Sequence, residues 1–279
     1  MKDDQVTQAM DAWCGTGKTL FKLAFLWLLA TAFLTTSVSI VAAAPLQGKI
    51  ERSRKIKPVE ARLMPGQLLT PQTAPELTPT NDWCMIPDWF AGTWQFTSMR
   101  YEYLIDHRTG QEFGPGADQR EVFQQSYGTL RDRAGNIWHY LKTPYSYRSE
   151  GSKTWTLNRA LSIQMEADHT VVVRHVLGTR TDVSARTDRI LTTSQLDCVN
   201  RYKPDDDGVV HLSSLVRQYD EFGNPTTSGE AKQTIRRVKP FEEVEPTGAQ
   251  DLRVLFSIFL AAHGKSELIP LDVPPSTAK

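Results

Sequence analysis

The sequence predicts a mainly β protein: an eight-stranded antiparallel up-and-down barrel with one C-terminal α-helix, preceded by an N-terminal hydrophobic helix and a proline-rich linker. Three observations predict it. About 145 residues of strand-like sequence, punctuated by short turn signals, occupy the middle of the chain. One amphipathic stretch comes after them. The strand region opens on Pro87-Asp88-Trp89-Phe90-Ala91-Gly92-Thr93-Trp94-Gln95-Phe96, which crowds large aromatics and a Gly-x-Trp into one short run. The expected organisation is 1–44 signal peptide or membrane anchor, 45–80 disordered linker, 81–270 barrel domain and 271–279 tail.

Residues 23–44 carry no charge and number 22, enough to span a bilayer, which needs about 20. Lys18 and Lys22 precede them, and Val41 and Ala43 suit signal cleavage. The segment reads as a long signal peptide or an uncleaved anchor. The basic run Lys49, Arg52, Arg54, Lys55 and Lys57 prefers the cytoplasm by the positive-inside rule. The cleavage-like alanines and the cysteine placement favour export, so the expected location is membrane-anchored or periplasmic or lumenal. If uncleaved, the segment makes the membrane a partner. Upstream, Cys14-Gly-Thr-Gly-Lys18-Thr19 mimics a phosphate-binding loop, but no strand precedes it and a membrane-length segment comes next.

The linker is rich in proline (Pro58, Pro65, Pro71, Pro75, Pro79), which removes backbone donors and favours extended chain. It is expected to be a spacer, or in part to wrap the barrel. In an oxidising compartment Cys84 and Cys198 would make one disulfide, tying the entry of the first strand to a late one; the alternative is two separate buried thiols.

The strand runs are expected at 91–105, 120–132, 137–147, 154–167, 170–181, 189–202, 209–219 and 226–238. Ala134-Gly135-Asn136, Glu150-Gly151-Ser152 and Asp205-Asp206-Asp207-Gly208 mark turns between them. The fourth run alternates most clearly, with Trp155, Leu157, Leu161, Ile163 and Met165 on one face and Arg159 among them. Short turns favour an antiparallel meander, and closing eight such strands removes exposed edges. A helix is predicted over 249–263 from Leu252, Leu255, Phe256, Phe259 and Ala262, buried against the barrel and ended by Gly264.

From these residues the chain resembles the lipocalin (calycin) superfamily. Gly92-Thr93-Trp94 matches that family's Gly-x-Trp, and Arg236 or Arg237, at the end of the eighth run, falls where the family packs an arginine over that tryptophan. The likeness would cover about residues 87–264. It implies a barrel whose mouth takes a small apolar ligand such as a lipid or pigment. The Trp-x-x-Gly-Thr-Trp opening also resembles exported proteins of cyanobacteria and plastids, which implies no activity.

The expected lumen residues are Tyr101, Tyr103, Trp155, Leu157 and Arg159. Formal net charge is zero, 32 basic against 32 acidic residues, which gives nucleic acid no electrostatic footing. His139, His169, His175 and His211 lack ligand spacing, so no metal and no cofactor is expected. No nucleophile motif is present, and an enzyme is not expected. Two readings remain: a carrier with a lumen large enough for a ligand, or an envelope interaction protein whose lumen is closed by Trp, Met and Arg side chains.

Overall fold

The computed structural model describes residues 55–70, 80–116, 118–244 and 251–271. Along the chain these form β1 (Thr80–Ile86), β2 (Gly92–Asp106), β3 (Gln111–Phe113), β4 (Asp118–Tyr127), β5 (Leu130–Arg131), β6 (Ile137–Thr143), β7 (Tyr145–Glu150), β8 (Thr154–Ala167), β9 (Val172–Ser184), β10 (Ile190–Pro204), β11 (Val209–Tyr219), β12 (Pro225–Lys239) and α1 (Leu252–Ala262). The large sheet runs β3-β2-β12-β11-β10-β9-β8-β7, with β4 also on β2. Every pairing is antiparallel.

The meander order is as expected, and β12 returns to pair with β2. The closed barrel is not formed. No pairing joins β4 to β7 among the described residues, so the sheet stops one seam short of closure. The cause lies in the third expected run. It breaks at Pro144, which has no N–H to give a ladder. Its first half, β6, leaves the sheet and pairs with β1 from Thr80↔Thr143 to Ile86↔Ile137, with β5 on its other edge. Only the second half, β7, stays with β8. Asp132 secures the β5–β6 hairpin: its carboxylate accepts from Trp138 Nε1 (3.0 Å) and Asn136 Nδ2 (2.9 Å).

The fourth run also departs from simple alternation. A bulge between Ala160 and Ser162 puts one extra residue in β8. An extra residue reverses which side each later side chain takes. Trp155 and Leu157 therefore belong to a cluster with Val59, Leu63, Leu69, Val183 and Ile190. Met165 belongs to the main core with Trp94, Phe90, Tyr127, Tyr202 and Ile235. Leu161, at the bulge, is exposed.

Residues 55–70 correct the expectation of a disordered linker over that stretch: they wrap the sheet. Ile56 N donates to Gly223 O (2.9 Å), Val59 N to Glu221 O (3.0 Å) and Leu69 N to Asp188 O (2.8 Å). Thr193 Oγ1 donates to Leu63 O at 2.6 Å. Leu63 and Leu69 are 1% and 2% exposed, and burying a side chain of that size contributes roughly 1.5–3 kcal/mol each. Proline restricts this strap without preventing it from donating at intervening residues.

The helix begins where Asp251 caps it, its carboxylate accepting from Arg253 N at 2.9 Å; residues 249 and 250 lie outside the described ones. Phe256 and Leu260 are buried on Trp83, Leu130 and Trp138, so α1 covers the small sheet and not, as expected, the large one. The uncharged segment 23–44 also lies outside the described residues. Among those described, no helix is long and apolar enough to cross a membrane.

Gly223 sits at φ +79°, and a Cβ there would collide with the Ile56 carbonyl of the strap. Gly223→Ala is expected to cost about 1–3 kcal/mol and to raise amide exchange over residues 55–70 while β9 to β12 stay protected. Unchanged exchange in the strap would show that it is not held as described.

Candidate functional site

The candidate site is the inner face of the large sheet, beginning at the Trp94 end. Gly92 has φ +128°, and a Cβ there would stand 2.7 Å from Lys239 O, so the strand opens on a position that only glycine fits. Two residues on, Trp94 is fully buried and donates from Nε1 to Phe90 O at 2.8 Å. Arg237 lies with Cζ 5.1 Å from the Trp94 ring centroid and donates from Nη2 to Trp89 O at 2.6 Å. Of the two expected arginines, this is the one on the tryptophan; Arg236 is exposed. Phe90 fills the space beyond, 4.2 Å from the Tyr127 ring and 4.8 Å from that of Tyr202.

Next along the face is a polar cluster. Tyr127 and Tyr202 hydroxyls are 3.0 Å apart. Burial pushes both phenols upward, Tyr202 well above its usual range. Arg174, on β9, stands close to both and to Tyr145 at the start of β7. Burial works against its charge, but coupling to the titration of Tyr127, Tyr202 and Tyr145 outweighs it, and the net direction is upward. Among the described residues Arg174 forms no ion pair. Opposite it in register is Asn200, whose Oδ1 accepts from Ser214 Oγ (2.6 Å) and Cys198 Sγ (3.4 Å). The His139 ring lies edge-on to Tyr127 at 5.5 Å, and its enclosed Nδ1 finds no hydrogen-bond partner among the described residues. Burial, and then Arg174, lower the His139 pKa to about 3.

The five expected lumen residues are not brought together. Tyr101 lines a cavity of about 30 Å³ with Leu104, Val216, Gln218 and Ser228, room for roughly one water. Tyr103 pairs with Glu230, and a register shift between Glu230 and Ala231 breaks the alternation that would align it with Tyr101. Trp155, Leu157 and Arg159 lie beneath the strap. Arg159, 3% exposed, meets Glu60 of that strap at 3.5 Å, and Arg148 sits 4.3 Å over the Trp155 ring.

The expected disulfide is also corrected. Cys84 and Cys198 are free thiols. Cys84, on the small sheet, donates to Met165 O at 3.2 Å, while Cys198 bonds within its own strand. Burial, then Glu166, push the Cys84 thiol up to about 11, which disfavours the reactive thiolate. Among the described residues no group of three or more His, Cys, Asp or Glu side chains is placed to hold a metal ion.

The residues missed from sequence are Tyr127, Tyr145, Arg174 and Tyr202. A signal existed for Arg174, which alternates with Val172 and Val176 on a strand and so sits where an apolar side chain belongs. Tyr202 continues the alternation of Cys198 and Asn200. No known protein family, curated protein or solved structure matches the chain.

This geometry sets two expected outcomes. Arg237→Met keeps the stem over Trp94 but loses the cation and the bond to Trp89; thermal unfolding is expected to show a loss of about 1–3 kcal/mol, against under about 0.5 for Arg236→Met. Equal losses would remove Arg237 from its special position. The folded chain holds His139 neutral down to about pH 3, whereas an unfolded histidine protonates near 6.5. Its contribution to stability is therefore level above about 6.5 and falls below it, by up to about 1.4 kcal/mol per pH unit until about pH 3. Denaturant titrations of wild type and His139→Phe between about pH 4.5 and about pH 7 should diverge toward acid, the variant losing less.

Proposed function

We propose that this chain is an exported or membrane-tethered, lipocalin-like β module, non-enzymatic, that acts by engaging a protein partner and carries no apolar cargo. The observation behind this reading is the filled inner face. Trp94, Phe90, Tyr127, Tyr202, Met165 and Ile235 occupy it, each buried, and form one continuous cluster. Sites for small apolar ligands usually enclose about 300–1,000 Å³. The space beside Tyr101 is roughly a tenth of the lower bound.

The open seam supports the same reading. Among the described residues β4 pairs only with β2, and β7 only with β8. Each leaves a row of backbone donors and acceptors without a strand partner, the kind of edge to which an extended segment of another protein adds. The charged Arg148 and Glu150 on β7 guard that edge against indiscriminate pairing.

Native mass spectrometry with organic extraction, on the protein from its own host, tests the reading. A mass free of lipid and pigment, with no uptake of the neutral dye Nile red, is expected. A stoichiometric lipid or pigment would overturn it in favour of a carrier.

A further inference from the structure

The inner face holds a charge where packing alone asks for none. Arg174 stands between Val172 and Val176, which are 0% and 4% exposed, on the side of β9 that faces the core. An apolar residue there would complete the cluster with no desolvation penalty. Arg174 is instead kept, half-buried, so solvent still reaches it. Among the described residues its neighbours supply no negative charge: Tyr127, Tyr145 and Tyr202 are phenols, Cys198 is a thiol, Asn200 and Ser214 are neutral, and His139 is held neutral. The other deeply placed arginines of this sheet are treated differently. Arg159 has Glu60, Arg217 has Asp197 at 3.8 Å, and Arg237 has the Trp89 carbonyl.

From this juxtaposition we infer that Arg174, with the Tyr127–Tyr202 hydroxyl pair, forms a binding site for an oxyanion, a carboxylate or phosphate group, entering through the seam between β4 and β7. The planar guanidinium offers paired donors matched to such a group. The two hydroxyls are already bonded to each other, which orients them and leaves one O–H to donate outward. Tyr127 ends β4 and Tyr145 begins β7, so the cluster lies at one end of the unpaired seam; the hydroxyl pair itself is buried, and an anion reaches it by way of the half-buried Arg174. A half-buried cation without a counter-charge gains more from an anion than an exposed one, since screening by water is weaker. The site is separate from the partner-binding reading and survives or fails without it.

Calorimetric titration of the full chain in zwitterionic nanodiscs, with empty nanodiscs as blank, tests it with acetate, inorganic phosphate, octanoate and octanol. Acetate or phosphate is expected to bind wild type, and Arg174→Met to bind it at least about tenfold more weakly. Octanoate binding far more tightly than acetate, with the same dependence on Arg174, also supports the site and names an amphiphile's head as the source. No anion binding, or binding that Arg174→Met leaves unchanged, overturns the inference. Should that variant fail to fold, Tyr127→Phe decides. It keeps the ring against Phe90 and deletes one hydroxyl, and wild-type affinity there overturns the site equally.

Discussion

The pairing of β12 with β2 is the constraint on which the rest depends. It joins the first long strand to the last, so the chain must close a very long loop before the bonds offset the lost entropy. Its end is fixed by three contacts that reinforce one another. Gly92 lets the two backbones approach, Trp94 fills the space behind, and Arg237 crosses from β12 to grip both Trp94 and the Trp89 carbonyl. With that corner set, Phe90 is placed to meet Tyr127 and Tyr202, and the inner face fills outward from it.

Once β12 and β2 are joined, the boundary left unpaired among the described residues falls between β4 and β7. The reason is competition. The residues of β6 have a better partner in β1, where Trp83 packs against Phe256 of the helix, 4.6 Å between ring centroids. The small sheet and α1 thus form a satellite core, and the main sheet gives up one interface to it. Buried polar groups collect beside the seam that results, and burial shifts their titration, raising Tyr127 and Tyr202 and lowering His139.

Much of this was legible in the sequence and some was not, for physical reasons. Turns such as Asp205–Gly208 announce themselves through residue chemistry, and the long runs through their alternation, so the meander and its order were readable. The approach of an arginine to Trp94 was readable too, though not which one; burial of Ile235 on one side of Arg236 settles the parity. The bulges at Ala160 and at Glu230 carry no residue signature, yet each reverses the faces of the residues beyond it. That is why unbroken alternation places Trp155, Leu157 and Arg159 on the inside, whereas the structure sets them beneath the strap. The strap was legible only as the alternative to a free spacer: proline marks chain that avoids regular ladders, not chain that avoids contact, and Val59, Leu63 and Leu69 still bury. Two cysteines in an exported body suggest a bridge only while their strands are taken to be neighbours, and β1 sits in the other sheet.

The strap also bears on what happens when the molecule is pulled. In a chain held at its N-terminal end, tension enters at the strap and reaches the sheet first through the Ile56–Gly223 and Val59–Glu221 bonds, which lie at the β11–β12 turn. Behind them stand Leu63 and the Glu60–Arg159 pair. A load is therefore spread over apolar packing and several bonds before it arrives at β1. The strap is placed as a strain relief, like the sleeve where a cable enters its housing.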